Sequence, residues 1–306
     1  MRRWAHFEWG MYVAVVLFAA LVPVATFLIG PSYRPFYLND ASIWGAVKDE
    51  TVPFLPCAFF VSVCLLAPFV FELIAVQFAI VSQPRDADAR KKREYGSVDL
   101  RPAKEGEGGG GEGGDDGIEP LAGLLSATRL FLAGVCSTVL CLSLALLFKN
   151  YIAWPRPDEI HRCLGTDFAL PPSTYSNRVI TDPEGECQSS ELAPNFSLQS
   201  FPSGHSASSL CSALFLSMYL VWRSYVLGKG KTVWWKILSH FLHFLAIITI
   251  VVSLWIGVSR IYDNRHHPWD VVAGWMIGFV SFSTISVPTA FSVHADYFAN
   301  TPLFPS

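Results

Sequence analysis

Charged residues are scarce in this sequence. Asp, Glu, Lys and Arg together make up 15% of the 306 residues, whereas a soluble globular domain contains about 25%. The formal net charge is only −3, which argues against a basic surface for nucleic acid. Hydrophobic residues make up 52% of the chain, and the mean hydropathy is +0.37. This composition disfavours a soluble domain, a disordered chain and a disulfide-rich secreted scaffold, and it is typical of a protein with several membrane spans.

Six long apolar runs reach the length of about 20 residues that a helix needs to cross a hydrocarbon core. They cover residues 11–29, 55–82, 121–148, 206–222, 237–258 and 271–293. The first run is too long for the core of a signal peptide, and no convincing small-residue cleavage site follows it, so we interpret it as a retained span. The sequence predicts an all-α polytopic membrane protein with six transmembrane helices, in which residues 1–306 form a single domain.

The loop at 83–120 indicates the orientation of these spans. Its basic cluster ARKKR, at 89–93, is the densest in the chain. Because positively charged loops stay in the cytoplasm, we place this loop and both termini inside. The same loop continues as EGEGGGGEGGDDG at 105–117. No strand precedes this segment and no GK[ST] follows it, so it predicts a flexible tether rather than a phosphate-binding loop.

The largest polar loop, residues 149–205, then lies on the non-cytoplasmic side. It contains the N-glycosylation sequon that begins at Asn195, which agrees with that placement. Cys163 and Cys187 also lie in this loop and could form a disulfide if it faces an oxidising compartment. The other five cysteines lie within apolar runs, where a thiol behaves as a small hydrophobe.

Three polar motifs stand at the predicted outer ends of the spans. They are Lys149-Asn-Tyr-Ile-Ala-Trp-Pro-Arg156-Pro157, Phe201-Pro202-Ser203-Gly204-His205, and the segment from Ser259-Arg260 to His266 and Asp270. Lys149, Arg156 and Arg260 suggest an anion site, since the arginine fork matches phosphate oxygens. The second motif opens a helix, whose first N–H groups can hold a phosphate. There Gly204 would permit close approach, and the Ser203 hydroxyl would add a donor.

Two histidines are available for reaction chemistry. His266 precedes Asp270 by four residues, a spacing that lets a carboxylate hold the second ring nitrogen and fix the tautomer. A neutral, oriented imidazole can attack phosphorus. His205, in a separate loop, would protonate the leaving alkoxide as a general acid.

A metal site is the alternative interpretation of the same residues. His205, His266, His267 and Asp270 are plausible zinc ligands. The neighbouring lysine and arginines would repel a cation and already supply charge to neutralise a phosphate. We therefore expect no metal and no other cofactor, and we set His267 aside because it would point elsewhere from His266.

These motifs resemble the signature of the type 2 phosphatidate phosphatase superfamily, specifically its integral-membrane lipid phosphate phosphatases. The family pattern is KxxxxxxRP, then PSGH, then SRxxxxxHxxxD, and all three occur here complete and in order. RPFYLNDASI at 34–43 and DETVP at 49–53 also resemble the family's first outer loop. The acidic polyglycine segment departs from the family, and we do not connect it with catalysis.

The resemblance implies a role for each matching residue. Five residues would bind phosphate: Lys149, Arg156, Ser203, Gly204 and Arg260. His266 would form a phosphohistidine, His205 would protonate the lipid alcohol, and Asp270 would orient His266. The implied reaction is metal-independent hydrolysis of phosphatidate, lysophosphatidate, sphingosine 1-phosphate or ceramide 1-phosphate. Two other hypotheses stay open, a phosphatase for diacylglycerol or polyprenyl diphosphates and a catalytically silent lipid-binding scaffold.

An active site on the non-cytoplasmic loops would let a lipid enter sideways from the leaflet, with its chains still in hydrocarbon. Trp154 and Trp269 suit that depth, although they could serve only as membrane anchors. The plasma membrane, the endoplasmic reticulum and the Golgi all fit such a site. The expected partners are the lipid phosphate and the bilayer, and homo-oligomer formation stays open.

Two charges lie inside the predicted spans. Glu72 and Arg129 would be about 12–15 Å deep from the inner side, at 1.5 Å per helical residue. An unpaired charge at that depth costs several kcal/mol. The sequence therefore predicts a structural ion pair between Glu72 and Arg129.

Overall fold

The computed structural model describes residues 2–29, 34–82, 118–164, 178–181, 187, 199–228 and 232–300. Its helices are α1 (Arg2–Ile29), α2 (Phe54–Ser82), α3 (Ile118–Ile152), α4 (Glu159–Leu164), α5 (Gly204–Gly228), α6 (Val233–Tyr262) and α7 (Pro268–Asn300), and a 3-10 turn covers Ala41–Ile43. Two short strands, β1 (Phe36–Tyr37) and β2 (Val179–Ile180), pair antiparallel. The expected tether at 105–117 and the sequon at Asn195 lie outside the described residues.

Six of these helices are long and apolar enough to cross a membrane, as the sequence predicts. They are all the helices given above except α4. The centre of the bundle is formed by α3 and α5, since 50% and 56% of their spanning residues are buried, against 17% in α1 and in α2. α5 packs against α6 and α7, and α3 packs against α7, α2 and α1. The apolar outer faces of α1 and α2 are therefore available to lipid.

Glycines let α5 and α7 approach closely at the end of the bundle that carries the motifs. A Cβ added at Gly274 would lie within 3.0 Å of the backbone oxygen of Ser203, and one added at Gly278 would lie as close to the backbone oxygen of Ala207. Small residues allow this kind of backbone contact between membrane helices. The contact holds the start of α5 against the start of α7.

The charges within the spans do not pair as predicted. Glu72 on α2 binds Arg223 on α5, with the guanidinium Nε at 2.7 Å from the carboxylate. Arg129 on α3 binds Glu8 at 2.8 Å and Asp296 at 2.7 Å. The predicted Glu72–Arg129 pair is therefore wrong. Hydropathy indicates how deep each charged residue lies in the membrane, but it does not indicate which face of the helix carries the side chain. Glu72 and Arg129 face different neighbouring helices.

The connecting segments at the motif end pack into one layer, which we call the cap: residues 34–53, 153–164, 178–181 and 187. Its small core contains Leu38, Ile43, Ile160 and Ile180, all with at most 1% of their surface exposed. A disulfide joins Cys163 in α4 to Cys187. The Gly45 N–H also donates to the Pro157 carbonyl at 2.6 Å. The first loop is thereby fastened to the segment that follows α3.

Candidate active site

The three motifs meet beneath the cap. Lys149, in the last turn of α3, donates from Nζ to the Gln199 carbonyl at 2.6 Å. The Ser203 N–H donates to the Asp270 carbonyl at 3.0 Å. The first of these bonds joins the first motif to the segment just before the second, and the other joins the second motif to the third. Residues more than 100 positions apart in the sequence thus form one site.

Arg156 is a half-buried cation of this site. Its Nε atom is buried and has no hydrogen-bond partner within the part of the chain that the structure describes. Burial, together with the nearby Arg265 guanidinium, lowers the pKa of Arg156 to about 10. A buried N–H donor without a hydrogen-bond partner is costly, and a bound anion would relieve that cost.

Arg260 is held from two sides by carboxylates. Its guanidinium is 2.5 Å from Asp263 and 3.3 Å from Glu50, and the residue is only 1% exposed. Asp263 is in turn bound by Thr51, through its N–H at 2.9 Å and its hydroxyl at 2.5 Å. The DETVP segment of the first loop therefore fixes the position of Arg260. Glu50 and Asp263 are not among the site residues predicted from the sequence, although each lies within a segment that resembles the family.

A fourth cation, Arg265, belongs to the same network. It contacts Glu50 at 2.6 Å and Asp158 at 3.6 Å, and Asp158 also binds Arg162 at 2.8 Å. Arg265 occupies a variable position of the third motif, so the motif pattern does not indicate that this residue belongs to the site. Carboxylates already hold Arg265 and Arg260, which leaves Lys149 and Arg156 as the site's cations without an ion pair among the described residues.

The start of α5 has the open geometry expected for an anion site. A Cβ added at Gly204 would meet no atom within 4 Å, so there is free space next to the helix N-terminus. The Ser203 hydroxyl oxygen accepts from the Ser206 hydroxyl at 2.9 Å and from the Ser206 N–H at 3.4 Å. Ser203 therefore caps the helix, while its hydroxyl hydrogen can still be donated.

His205 and His266 both face this group of cations. Lys149 and Arg156 act electrostatically on both imidazoles, and Arg260 and Glu50 also act on His205. The Nε2 atom of His205 is buried and has no hydrogen-bond partner among the described residues. Burial lowers the pKa of His266 to about 3, and the two cations add to that effect against the attraction of Asp270. His266 is therefore neutral at physiological pH, as a nucleophile must be.

Asp270 does not contact His266 in the predicted way. Its Oδ2 atom lies 3.8 Å from His266 Nδ1, too far for a hydrogen bond. The same oxygen accepts from the Ser200 hydroxyl and from the His267 N–H at 2.8 Å, and His267 Nδ1 lies 3.3 Å away. The expectation that His267 would point elsewhere is therefore wrong. The i, i+4 spacing brings two side chains together dependably only within a helix, and α7 begins only at Pro268.

The polar groups of the site are those of an anion-binding centre. No group of three or more His, Cys, Asp or Glu residues within the described ranges is arranged to hold a metal ion. Four cations, a helix N-terminus and two imidazoles lie together at one end of a membrane bundle. This geometry defines a class, a polytopic helical membrane protein with a cluster of cations and imidazoles at the edge of the bundle.

Comparison with known families identifies the family within that class. The model of the PAP2 superfamily matches residues 125–290, more than half of the chain. The chain therefore belongs to the PAP2 superfamily. The matched region contains all three motifs, the helices α5 and α6, and most of α3 and α7.

Named relatives are similar to this chain over different lengths. A fission yeast protein, "Probable diacylglycerol pyrophosphate phosphatase 1", is 29% identical over 47% of each chain. The mouse "Phospholipid phosphatase 1" is 25% identical over 95% of this chain and 87% of its own length. The human "Phospholipid phosphatase-related protein type 4" is 31% identical over 47% of this chain but only 17% of its own. The chain thus spans less than half the length of the fission yeast protein, and no solved structure matches it significantly.

Proposed function

We propose that this protein is a membrane phosphohydrolase that removes the phosphate from lipid monophosphates such as phosphatidate, lysophosphatidate, sphingosine 1-phosphate or ceramide 1-phosphate. The observation that carries the proposal is the shared environment of two imidazoles. His205 and His266 come from separate motifs, yet Lys149 and Arg156 act on both. Membership of the PAP2 superfamily and the names of its relatives support the same reaction class.

The proposed reaction has two steps. His266 Nε2 attacks phosphorus to form an N–P bond, the bond between phosphorus and the lipid oxygen breaks, and His205 gives the departing alkoxide its proton. Water then attacks the phosphohistidine and gives a proton back to His205, the N–P bond breaks, and free His266 and inorganic phosphate are released. Lys149, Arg156, Arg260 and the first N–H groups of α5 bind the phosphate oxygens in both steps. No step of this proposal uses a metal ion, so the proposed mechanism is metal-independent.

We also propose that the site faces the non-cytoplasmic side of its membrane. The basic loop at 89–93 supports a cytoplasmic location for the opposite end of the bundle. Trp269 is 54% exposed at the start of α7, which suits a residue at the membrane interface. In this arrangement the lipid keeps its chains in the leaflet while its headgroup enters beneath the cap.

A diphosphate substrate is the second candidate. The fission yeast relative carries the name of a diacylglycerol pyrophosphate phosphatase, and Arg265 places a further cation beside Arg156. Carboxylates at Glu50 and Asp158 hold that arginine, which favours the smaller monophosphate. Initial rates on matched mono- and diphosphates of the same diacylglycerol would decide between the two substrates.

Repeating these rate measurements with excess chelator would test the metal-independent mechanism, because loss of activity that divalent ions restore would contradict it.

The activity itself is tested by release of inorganic phosphate from phosphatidate in mixed micelles. We expect the His266→Ala and His205→Ala variants to lose at least about 10³-fold in kcat, because each removes a group that acts in the transition state. His240→Ala is the matched control, since His240 is exposed on α6 and takes no part in the site. Equal rates in all three variants and the wild type would contradict the mechanism. A wild type that releases no phosphate from any lipid would favour the silent scaffold.

A further inference from the structure

The carboxylate of the third motif reaches the proposed nucleophile only through a serine. Asp270 Oδ2 is 3.8 Å from His266 Nδ1, whereas Ser200 Oγ is 3.4 Å from that nitrogen and also hydrogen-bonds to Asp270 Oδ2. Ser200 is fully buried, and so is Asp270. The second carboxylate oxygen, Oδ1, is buried and has no hydrogen-bond partner among the described residues. Ser200 therefore hydrogen-bonds to Oδ2, the same Asp270 oxygen that lies 3.8 Å from the His266 imidazole.

The chemistry of a hydroxyl fixes the direction of this chain of bonds. A serine hydroxyl has one hydrogen to donate, and an ionised carboxylate only accepts, so the Ser200 hydrogen must point to Asp270. The Ser200 oxygen can then only accept from His266, which requires the proton on Nδ1. The Nε2 atom consequently carries the lone pair needed for attack on phosphorus. Ser200 thus sets the tautomer that the proposed reaction requires.

The backbone around Ser200 fixes its position independently of the third motif. The Ser200 N–H donates to the Trp154 carbonyl at 2.7 Å, and the adjacent Gln199 forms an antiparallel bridge with Pro155. The segment that carries Ser200 is therefore held by the backbone of the first motif. The hydroxyl contacts side chains of the third motif, so Ser200 connects the phosphate-binding cations to the nucleophile.

We propose that Ser200 is a positioning residue, which transmits the orienting effect of Asp270 to His266 and holds the imidazole with Nδ1 protonated. This inference rests on the proposed function, because it assigns His266 as the nucleophile. It differs from a direct Asp270–His266 contact, in which the serine would be dispensable. It also differs from a purely structural role, in which losing the hydroxyl would change stability but not the chemical step.

The test uses the whole 306-residue chain and release of inorganic phosphate from phosphatidate in mixed micelles. Ser200→Ala should lower kcat by about tenfold or more while KM stays within about twofold, since the phosphate-binding groups are unchanged. Ser200→Cys keeps a weak donor in similar volume and should give an intermediate kcat. Ser212→Ala is the matched control, because Ser212 is equally buried and its hydroxyl donates to carbonyls of its own helix. We expect that control to retain the wild-type kcat.

A double-mutant cycle with Asp270→Asn tests whether Ser200 acts through the carboxylate. If it does, Ser200→Ala should cost little further activity once Asp270 has been changed. Fully multiplicative losses would overturn the proposal, as would a wild-type kcat in Ser200→Ala. If Ser200→Ala does not fold, a wild-type kcat in Ser200→Cys would overturn it instead. The His266→Ala variant distinguishes failure of the proposed function from failure of this inference. Activity in His266→Ala would contradict the proposed function itself. An inactive His266→Ala together with a wild-type kcat in Ser200→Ala would contradict only the role of Ser200.

Discussion

Arg260 shows how single residues determine the charge of the site. It is 1% exposed and lies between Asp263, which is fully buried, and Glu50, whose side chain is 26% exposed. A buried cation is tolerated only when its partners are present, so the two carboxylates should differ in importance. Water cannot take the place of Asp263, because that residue is fully buried. It can partly take the place of Glu50, whose side chain reaches solvent.

We expect Asp263→Asn to destabilise the protein by about 3–5 kcal/mol, because it leaves a buried guanidinium with one distant partner. Glu50→Gln should cost about 1 kcal/mol or less, since that carboxylate is partly solvated. Thermal unfolding in detergent, measured for both variants beside the wild type, checks the order. Equal destabilisation would contradict the assignment of Asp263 as the principal partner of Arg260.

Glu159 is a buried carboxyl that the proposed reaction does not use. Both of its carboxylate oxygens are buried without a hydrogen-bond partner in the described part of the chain. Burial raises the pKa of Glu159 to about 8 from an ordinary value of 4.5, despite the nearby Arg156. The folded protein therefore keeps a proton that the unfolded chain loses above pH 4.5, and stability falls as pH rises from 4.5 to 8.

Glu159→Gln should remove this pH dependence. The variant should unfold at nearly the wild-type temperature at pH 5, and at least about 2–4 °C higher than the wild type at pH 8.5, where the wild type has lost stability. Thermal unfolding at both pH values gives the comparison. An unfolding temperature that stays equal to or below that of the wild type at pH 8.5 would show that Glu159 ionises without cost in the folded state.

Residue types and spacing predicted the catalytic candidates, but not the residues that hold those candidates in position. Lys149, Arg156 and His266 could be selected because few residue types bind or attack phosphate. Ser200 and Glu50 could not, because a serine or a glutamate in a loop is common and only the folded backbone places it beside Asp270 or Arg260. The Glu72–Arg129 prediction failed for the related reason that depth in the membrane does not specify a partner.

At the scale of helices, apolar runs located the spans but not the helix ends. The fourth run, 206–222, lies inside a helix that covers Gly204–Gly228, and the fifth, 237–258, lies inside Val233–Tyr262. Hydropathy marks the stretch that suits hydrocarbon, whereas the backbone continues to hydrogen-bond into the polar region. His205 consequently lies on α5 and Arg260 on α6. The helix ends themselves, rather than flexible loops, carry these residues.

The contact between α5 and α7 should be sensitive to a single methyl group. Gly278→Ala would place a Cβ within 3.0 Å of the backbone oxygen of Ala207, and the helices would have to separate. We expect about 1–3 kcal/mol of destabilisation from this overpacking and a lower kcat, because α5 carries His205 and α7 carries Asp270. Gly10→Ala is the control, since a Cβ there meets no atom within 4 Å and should leave both properties unchanged. Wild-type stability in Gly278→Ala would contradict the close contact.

At the scale of the whole molecule, the cap joins the first loop to the segment after α3. The Cys163–Cys187 disulfide, with a sequence separation of 24, closes the part that contains β2. A crosslink of that length contributes about 3 kcal/mol by restricting the unfolded chain. The double variant Cys163→Ser/Cys187→Ser should therefore unfold at a lower temperature and turn over substrate more slowly, because the cap presents Glu50 to Arg260. A reductant should shift the wild type in the same direction and leave the double variant unaffected.

The whole-molecule arrangement also makes the proposed orientation testable. Tyr151, at the end of α3, is 87% exposed, and Trp234, at the start of α6, is 79% exposed at the opposite end of the bundle. The five free cysteines are buried, so an introduced cysteine should dominate labelling by a maleimide that cannot cross membranes. In sealed microsomes, whose outer surface is cytoplasmic, Trp234→Cys should react at once and Tyr151→Cys only after detergent is added. The reverse pattern would place the site on the cytoplasmic side, which would be inconsistent with glycosylation at Asn195.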